Sequence, residues 1–138
     1  MTVNDPLTEQ IIGCCYRVAN ELGYGFLEKV YENALAHEFR KARVAFEQQK
    51  GIEVFYDGVN VGNFVADLVV ENRVIVALKA AQAIDDAHVA QCLHYLKATG
   101  LEVCLLVNVG KNKVEVRRFV LSQGGRRGEM ELDVKDIL

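Results

Sequence analysis

Residues 64–79 read FVADLVVENRVIVALK, and they contain the clearest indication of the architecture. Two apolar runs rich in valine flank the pair Glu71-Asn72, which predicts two antiparallel strands joined by a tight turn. Asp67 interrupts the first run, and Lys79 ends the second. Both charged side chains are therefore predicted to lie on strands whose other residues favour burial.

Helical and strand patterns on either side of this hairpin predict one mixed domain. Apolar residues recur at spacings of three and four in two segments before it, and Gly23 and Gly25 separate those segments. The predicted elements are helices over 9–22 and 26–43, strands over 52–56, 59–70 and 73–80, a helix over 85–99, and strands over 102–108 and 113–121. This order, ααβββαββ, predicts an α/β (α+β) fold with a mixed central sheet flanked by helices.

A single domain accounts for the length and composition of the chain. Its 138 residues are 51% hydrophobic and include one proline, which is typical of a globular domain. We assign residues 1–121 to this domain and residues 122–138 to a C-terminal tail, either loose or a short docking helix. No apolar run approaches the roughly 20 residues that cross a bilayer, so we expect a cytoplasmic protein with no membrane partner.

The charge of the chain bears on nucleic acid as a partner. The formal net charge is −3, so any contact with a polyanion has to be local. A group of basic residues near the C-terminus belongs either to a nucleic-acid surface or to an ordinary solvated surface. Charge alone favours the ordinary solvated surface. These residues are Lys111, Lys113, Arg117, Arg118, Arg126 and Arg127.

Glu28 is the first candidate for a functional carboxylate. Helical spacing aligns it with Tyr31, Leu35 and Phe39 on the side of the second helix that is predicted to be buried. A carboxylate on that side needs a partner or a function. The alternative is a glutamate in the first helical turn that reaches solvent and complements the helix dipole.

Asp67 and Lys79 are the next candidates. An ionised Asp67 among apolar neighbours costs several kcal/mol unless it is paired, hydrogen-bonded or bound to a cation. Its structural alternative is a salt bridge to Arg73 or Lys79. Strand alternation places Lys79 on the same face as Ala77, where a lysine can orient a water nucleophile or stabilise negative charge. A strand-end lysine whose stem covers apolar surface is the alternative for Lys79.

Gln91 and Tyr95 lie four residues apart on the third predicted helix and share one face. A glutamine and a phenol on one face can hold a lysine, a water molecule or a phosphate oxygen. An ordinary solvated pair has the same spacing. The pair is therefore a candidate only in combination with the charged residues.

Residues 25–31 read GFLEKVY, which is similar to the GxxExxY signature of a group of small proteins in the PD-(D/E)xK nuclease superfamily. Gly25, Glu28 and Tyr31 carry the signature. The resemblance covers roughly residues 8–120, and its most specific segments are 66–70, 74–80, 90–100 and 105–108. The tail lies outside it.

The resemblance implies a restriction-endonuclease-like core that hydrolyses DNA or RNA phosphodiesters with Mg²⁺ or Mn²⁺. It implies that Glu28 and Asp67 are metal ligands and that Lys79 orients water or stabilises charge. Gln91 would hold the substrate or Lys79 in position. We include Tyr95, on the same helix face, in the candidate catalytic set. A homodimer is also expected, because one small domain covers little of a duplex.

The sequence departs from the family pattern at Ala77, where the ExK motif requires a glutamate. A methyl group cannot bind Mg²⁺, so we expect weak metal binding and impaired hydrolysis. The alternative is a non-catalytic domain that binds nucleic acid or protein on a nuclease scaffold. An alanine introduced to silence an active enzyme would give the same sequence, and the residues leave that origin open.

Overall fold

Three helices and a six-stranded sheet form the part of the chain that the computed structural model describes, residues 5–121 and 129–133. No helix within these residues is long and apolar enough to cross a membrane. In chain order the elements are α1 Pro6–Leu22, α2 Glu28–Lys41, β1 Phe46–Tyr56, β2 Val59–Val70, β3 Val74–Lys79, α3 Asp86–Thr99, β4 Val103–Asn108, β5 Glu115–Leu121 and β6 Glu129–Asp133.

The sheet is mixed, with the strands in the order β1-β2-β3-β4-β5-β6. β3 and β4 are parallel, because α3 carries the chain back between them, and the other neighbouring strands are antiparallel. The predicted order ααβββαββ and the mixed sheet with flanking helices are confirmed.

Strand β6 lies in the segment for which the sequence predicted a loose or helical tail. Residues 129–133 pair with β5, where a loose or helical segment was expected. Their sequence, EMELD, alternates charged and apolar residues, which is the two-residue period of a strand. The remaining tail residues, 122–128 and 134–138, lie outside the described residues.

Two clusters of buried apolar side chains cover the two faces of the sheet. One contains residues of α1 and α2 and includes Val74, Val76 and Leu78 of β3. The other contains residues of α3 and includes Ile75 and Ala77 of the same strand. Alternate residues of β3 therefore contact different helices, as strand periodicity predicts.

Strand alternation is broken within the hairpin of β1 and β2, at Asp67. The register pairs Gln48 with Leu68 and Lys50 with Ala66, and Gln49 between them has a φ of 55°, in the left-handed region. Phe46 packs against the cluster of α1 and α2, whereas Ile52 belongs to the cluster of α3. Both are even-numbered and would share a face in a regular strand. The hairpin therefore exchanges its two faces at Gln49 and Asp67.

Candidate active site at the end of strand β3

Two carboxylates are anchored to the backbone at the end of β3. The Oδ2 of Asp67 accepts a hydrogen bond from the N–H of Leu78 at 2.8 Å, and the Oε2 of Glu28 accepts one from the N–H of Ala80 at 3.0 Å. N–H groups two residues apart in a strand point to the same edge, about 7 Å from each other. The structure thus brings both acids to one edge of β3, on either side of Lys79.

The environment of Asp67 raises the pKa of its carboxyl group. Burial is the largest cause, and the negative charges of Glu32 and Glu28 act in the same direction. The N–H of Leu78 and the positive charge of Lys79 act against it. The charges of Glu28 and Lys79 therefore both act on the Asp67 carboxyl group, in opposite directions.

The structural alternative for Asp67, a salt bridge to Arg73, is wrong. Arg73 lies before the start of β3, at the end opposite to Asp67, and its guanidinium pairs with Asp5 at 2.9 Å and with Glu102 at 3.5 Å. Asp5 also caps α1, since its carboxylate accepts the N–H of Leu7 at 3.1 Å. The carboxylate of Asp67 is held by a backbone donor, with no ion pair within 4 Å among the described residues.

Ala77 and Lys79 stand on the same face of β3, toward α3. Ala77 is 2% exposed and packs in the cluster that includes Tyr95 and Cys92 of α3. Lys79 is half-buried, and no ion pair of its ammonium group occurs within 4 Å in the described part of the chain. A methyl group thus occupies the position beside the lysine where the ExK motif requires a carboxylate.

Tyr95 of α3 lies near Asp67, and Gln91 lies beside Tyr95 on the same helix. The Tyr95 ring stacks on Phe64 with centroids 4.7 Å apart, and its hydroxyl donates to the carbonyl oxygen of Val65 at 3.4 Å. Burial and, after it, the charge of Asp67 raise the pKa of Tyr95 to about 12, while a hydrogen bond with Gln91 lowers it. The alternative of a solvated pair is therefore wrong for Tyr95, which is buried.

Glu32 is a buried carboxylate that the sequence analysis missed. It is 3% exposed, and it accepts hydrogen bonds from Gln48 at 2.7 Å, Gln49 at 2.9 Å and Lys29 at 3.1 Å. It ties α2 to the residues of β1 at which the hairpin exchanges its faces. One signal was present in the sequence: Glu32 lies one helical turn after Glu28 and shares its side of α2.

The contacts of Tyr31 give the tyrosine of the GxxExxY signature a structural role. It is buried, its hydroxyl donates to the carbonyl oxygen of Gly23, and it accepts the N–H of Phe26 at 3.4 Å. The Phe26 ring meets the Tyr31 ring edge to face, with centroids 6.2 Å apart. Tyr31 therefore fixes the loop that leads into Glu28.

Asn108 holds the segment that follows β3. Its side chain is buried, and it exchanges two hydrogen bonds of 3.0 Å with the backbone of Ala81 and accepts the N–H of Gly110 at 3.0 Å. A Cβ atom at Gly110 would collide with the backbone of Ala80 and Ala81. This close approach fixes the position of the Ala80 N–H that Glu28 accepts.

The four basic residues between positions 111 and 118 do not form one continuous surface. Arg118 is buried, and the guanidinium of Arg117 lies over the ring of Phe119 at 5.6 Å. Lys111 pairs with Glu115 at 3.6 Å. Arg126 and Arg127 lie outside the described residues.

The side chains present do not form a complete Mg²⁺ site. Among residues 5–120, whose side chains the structure describes, no group of three or more His, Cys, Asp or Glu side chains is placed to hold a metal ion. Mg²⁺ prefers octahedral oxygen ligands, and Glu28 and Asp67 each accept a backbone N–H already. Ala77 contributes no oxygen atom.

The mixed sheet with helices on both faces, and the two acids and lysine at one strand end, define a domain of the restriction-endonuclease-like class. The family model described as the PD-(D/E)XK nuclease superfamily matches residues 5–119, and the chain belongs to that superfamily. No curated protein and no solved structure matches the chain.

Proposed function

We propose that the chain is a GxxExxY-type member of this superfamily that acts on DNA or RNA, as a Mg²⁺-dependent phosphodiester hydrolase impaired by Ala77. One observation supports the proposal above all others. Asp67 and Glu28 accept hydrogen bonds from the N–H groups on either side of Lys79. Two acids and one lysine around a strand end suit the chemistry of the superfamily.

We assign Lys79 to the phosphate group of the substrate. Its ammonium group can donate to a non-bridging oxygen and stabilise the negative charge that develops as the phosphodiester is attacked. The carboxylates of Asp67 and Glu28 act against it, because like charges repel a phosphate. A divalent cation would neutralise them, and the missing carboxylate at position 77 weakens its binding.

The Ala77→Glu variant tests this proposal. Calorimetry should show Mg²⁺ or Mn²⁺ binding at least about tenfold tighter than in the wild-type chain, because each added carboxylate ligand raises the affinity for a hard cation. Incubation of the variant with single-stranded, duplex and branched nucleic acids should reveal cleavage. Adding Lys79→Ala to the same variant should abolish that cleavage.

Ala77→Gln is the matched control, because it fills the same space with a neutral amide. Metal binding and cleavage should stay at the wild-type level in this control. Equal behaviour of the Glu and Gln variants would contradict the assignment of position 77. Cleavage that survives Lys79→Ala would contradict the role of the lysine.

A non-catalytic interaction domain is the second candidate, and the tip of the β1–β2 hairpin favours it. Phe55, Tyr56, Val59 and Val61 are each more than half exposed there. Exposed apolar patches of this kind mark contact surfaces, and a second copy docked on the tip would give the expected homodimer. This candidate gains support if Ala77→Glu gains neither metal binding nor cleavage and the wild-type chain sediments as a dimer.

A further inference from the structure

Three large apolar side chains are exposed in the loop between α1 and α2, directly before Glu28. Tyr24 is 60% exposed, Phe26 is 49% exposed and Leu27 is 80% exposed. Burial of such side chains normally contributes to the stability of a domain, so their exposure as a group needs a reason. Their position next to the candidate active site suggests contact with a ligand of that site.

The loop forms one wall of an open cavity at the end of β3. Residues 25–29, Ala80 and Gly110 line a volume of about 590 Å³. Ala80 is the residue whose N–H binds the Glu28 carboxylate. A ligand in this cavity therefore contacts Phe26 and Leu27 and reaches Glu28 at the same time.

The loop is held in place before any ligand binds. The hydroxyl of Tyr31 donates to the carbonyl oxygen of Gly23 and accepts the N–H of Phe26. Gly25 has a φ of 121°, a backbone conformation that residues other than glycine rarely adopt. Because the aromatic rings stand on a fixed backbone, little conformational entropy is lost when they bind.

Basic residues continue from this cavity. Lys111 and Lys113 follow Gly110, and together with Tyr16 and Asn20 they line a second groove of about 630 Å³. Lys29 stands in the wall of the first cavity. Lysines along a groove with aromatic side chains complement the phosphates and the bases of a nucleic-acid strand.

The exposed tip of the β1–β2 hairpin provides a contrast within the same chain. It is equally apolar, but the charged residues beside it in the sequence are the acids Glu53 and Asp57, and residues 51–72 contain no lysine or arginine. These two acids repel a polyanion. The two apolar surfaces therefore differ in the charge around them, and the loop before Glu28 is the one that suits nucleic acid.

We propose that Tyr24 and Phe26 form a subsite that stacks unpaired nucleobases of a single strand of DNA or RNA, while Lys111 and Lys113 contact its phosphates. The inference rests on the proposed function and adds the substrate class. Bases within a duplex are stacked on one another and do not present their faces to a protein, whereas those of a single strand do.

Single-tryptophan variants test the stacking directly, because the chain contains no tryptophan. Tyr24→Trp and Phe26→Trp place the fluorophore in the subsite, and Tyr56→Trp places it at the acidic hairpin tip as a matched control. Titration with a short oligothymidylate in Mg²⁺ and low salt should quench the first two saturably and leave the third unchanged. A gel at the end of the titration checks that the strand is intact.

Alanine variants measure the contribution of each ring. Tyr24→Ala and Phe26→Ala should weaken binding of a labelled single strand between about fivefold and a hundredfold, since stacking on one aromatic ring contributes about 1–3 kcal/mol. Tyr56→Ala should change it less than about twofold. The wild-type chain should bind the single strand more tightly than a duplex of equal length.

The outcomes separate this inference from the proposed function. Absence of binding to any nucleic acid would overturn both. Binding that is unaffected by Tyr24→Ala and Phe26→Ala, equal for single strand and duplex, or unquenched at position 24 would overturn the subsite alone. Phe26 contacts Tyr31 by its ring and its N–H, whereas Tyr24 makes neither a hydrogen bond nor a ring contact with Tyr31, so the Tyr24 variants stay informative if those of Phe26 fold poorly. Circular dichroism and thermal unfolding check that folding.

Discussion

The two ends of strand β3 both carry charged side chains but use them in different ways. At the start of the strand, Arg73 pairs with Asp5 at 2.9 Å and with Glu102 at 3.5 Å. We call these three residues the paired end. The two acids share one arginine, and the ion pair with Asp5 joins the start of α1 to the strand, so their effect is structural.

At the other end of the strand, Asp67 and Glu28 bind the N–H groups of Leu78 and Ala80. We call these two acids and Lys79 the open end, because no ion pair within 4 Å joins them among the described residues. The backbone donors hold the acids apart from the lysine. Charges that are kept close but unpaired remain available to a ligand, and this distinguishes a candidate site from a structural cluster.

The largest effect on stability is expected at Glu32, which ties α2 to β1 next to the open end. Glu32→Leu removes the acceptor for Gln48, Gln49 and Lys29, and of these the half-buried Gln48 keeps Asn33 as an acceptor. We expect the free energy of unfolding to fall by about 1–3 kcal/mol, measured by urea denaturation. Glu32→Gln keeps one acceptor oxygen and should cost less than half as much. Equal stability of the Leu variant and the wild-type chain would contradict a supporting role.

A matched pair of substitutions compares the two ends directly. Arg73→Met breaks both ion pairs of the paired end and should lower the free energy of unfolding by about 1 kcal/mol. Lys79→Met breaks no ion pair and should change it by less than about 0.5 kcal/mol. Thermal or chemical unfolding of both variants in parallel measures the difference. A larger loss for Lys79→Met would show that the open end is structural.

The smallest effect on stability is expected from substitution of Asp67, and it depends on pH. Its pKa is higher in the folded chain than in the unfolded chain, mainly because of burial, so the folded state binds the proton more tightly. The protonated carboxyl group of Asp67 therefore contributes its full stabilisation below about pH 3.9, the pKa in the unfolded chain. This stabilisation is lost as the pH rises through the higher pKa of the folded chain. Asp67→Asn should raise the midpoint of thermal unfolding by about 2 °C at pH 7.

The same variant should show no gain near pH 3, where Asp67 is protonated in both states. Calorimetric scans at both pH values measure this difference. A gain of equal size at both pH values would mean that packing, and not charge, causes it. A loss at pH 7 would contradict the raised pKa.

Much of the open end could be predicted from strand periodicity. Alternation along residues 74–79 predicts Ile75, Ala77 and Lys79 on one face, and the structure places Ile75 and Ala77 in the cluster of α3. The helical spacing of Glu28 with Tyr31 predicted a buried carboxylate, and this is wrong: Glu28 is exposed in the first turn of α2, as the alternative expected. The strand predictions depend on a local period, which the sequence displays directly.

The partner of Asp67 could not be predicted in this way. The hairpin exchanges its faces at Gln49, a non-glycine residue with a φ of 55°, and periodicity contains no sign of such a break. The burial of Glu32 depends on Gln48 and Gln49, which approach it only when β1 packs on α2. Such contacts between distant segments are absent from any local pattern.

The anchoring of the two carboxylates has an evolutionary consequence. Their donors at Leu78 and Ala80 are main-chain groups, which are the same whichever side chains occupy the strand. A chain with glutamate at position 77 and a chain with alanine there can therefore share one frame, and a single substitution separates them. Under the proposed function, exchange of that one residue changes the affinity for a metal ion without rebuilding the domain.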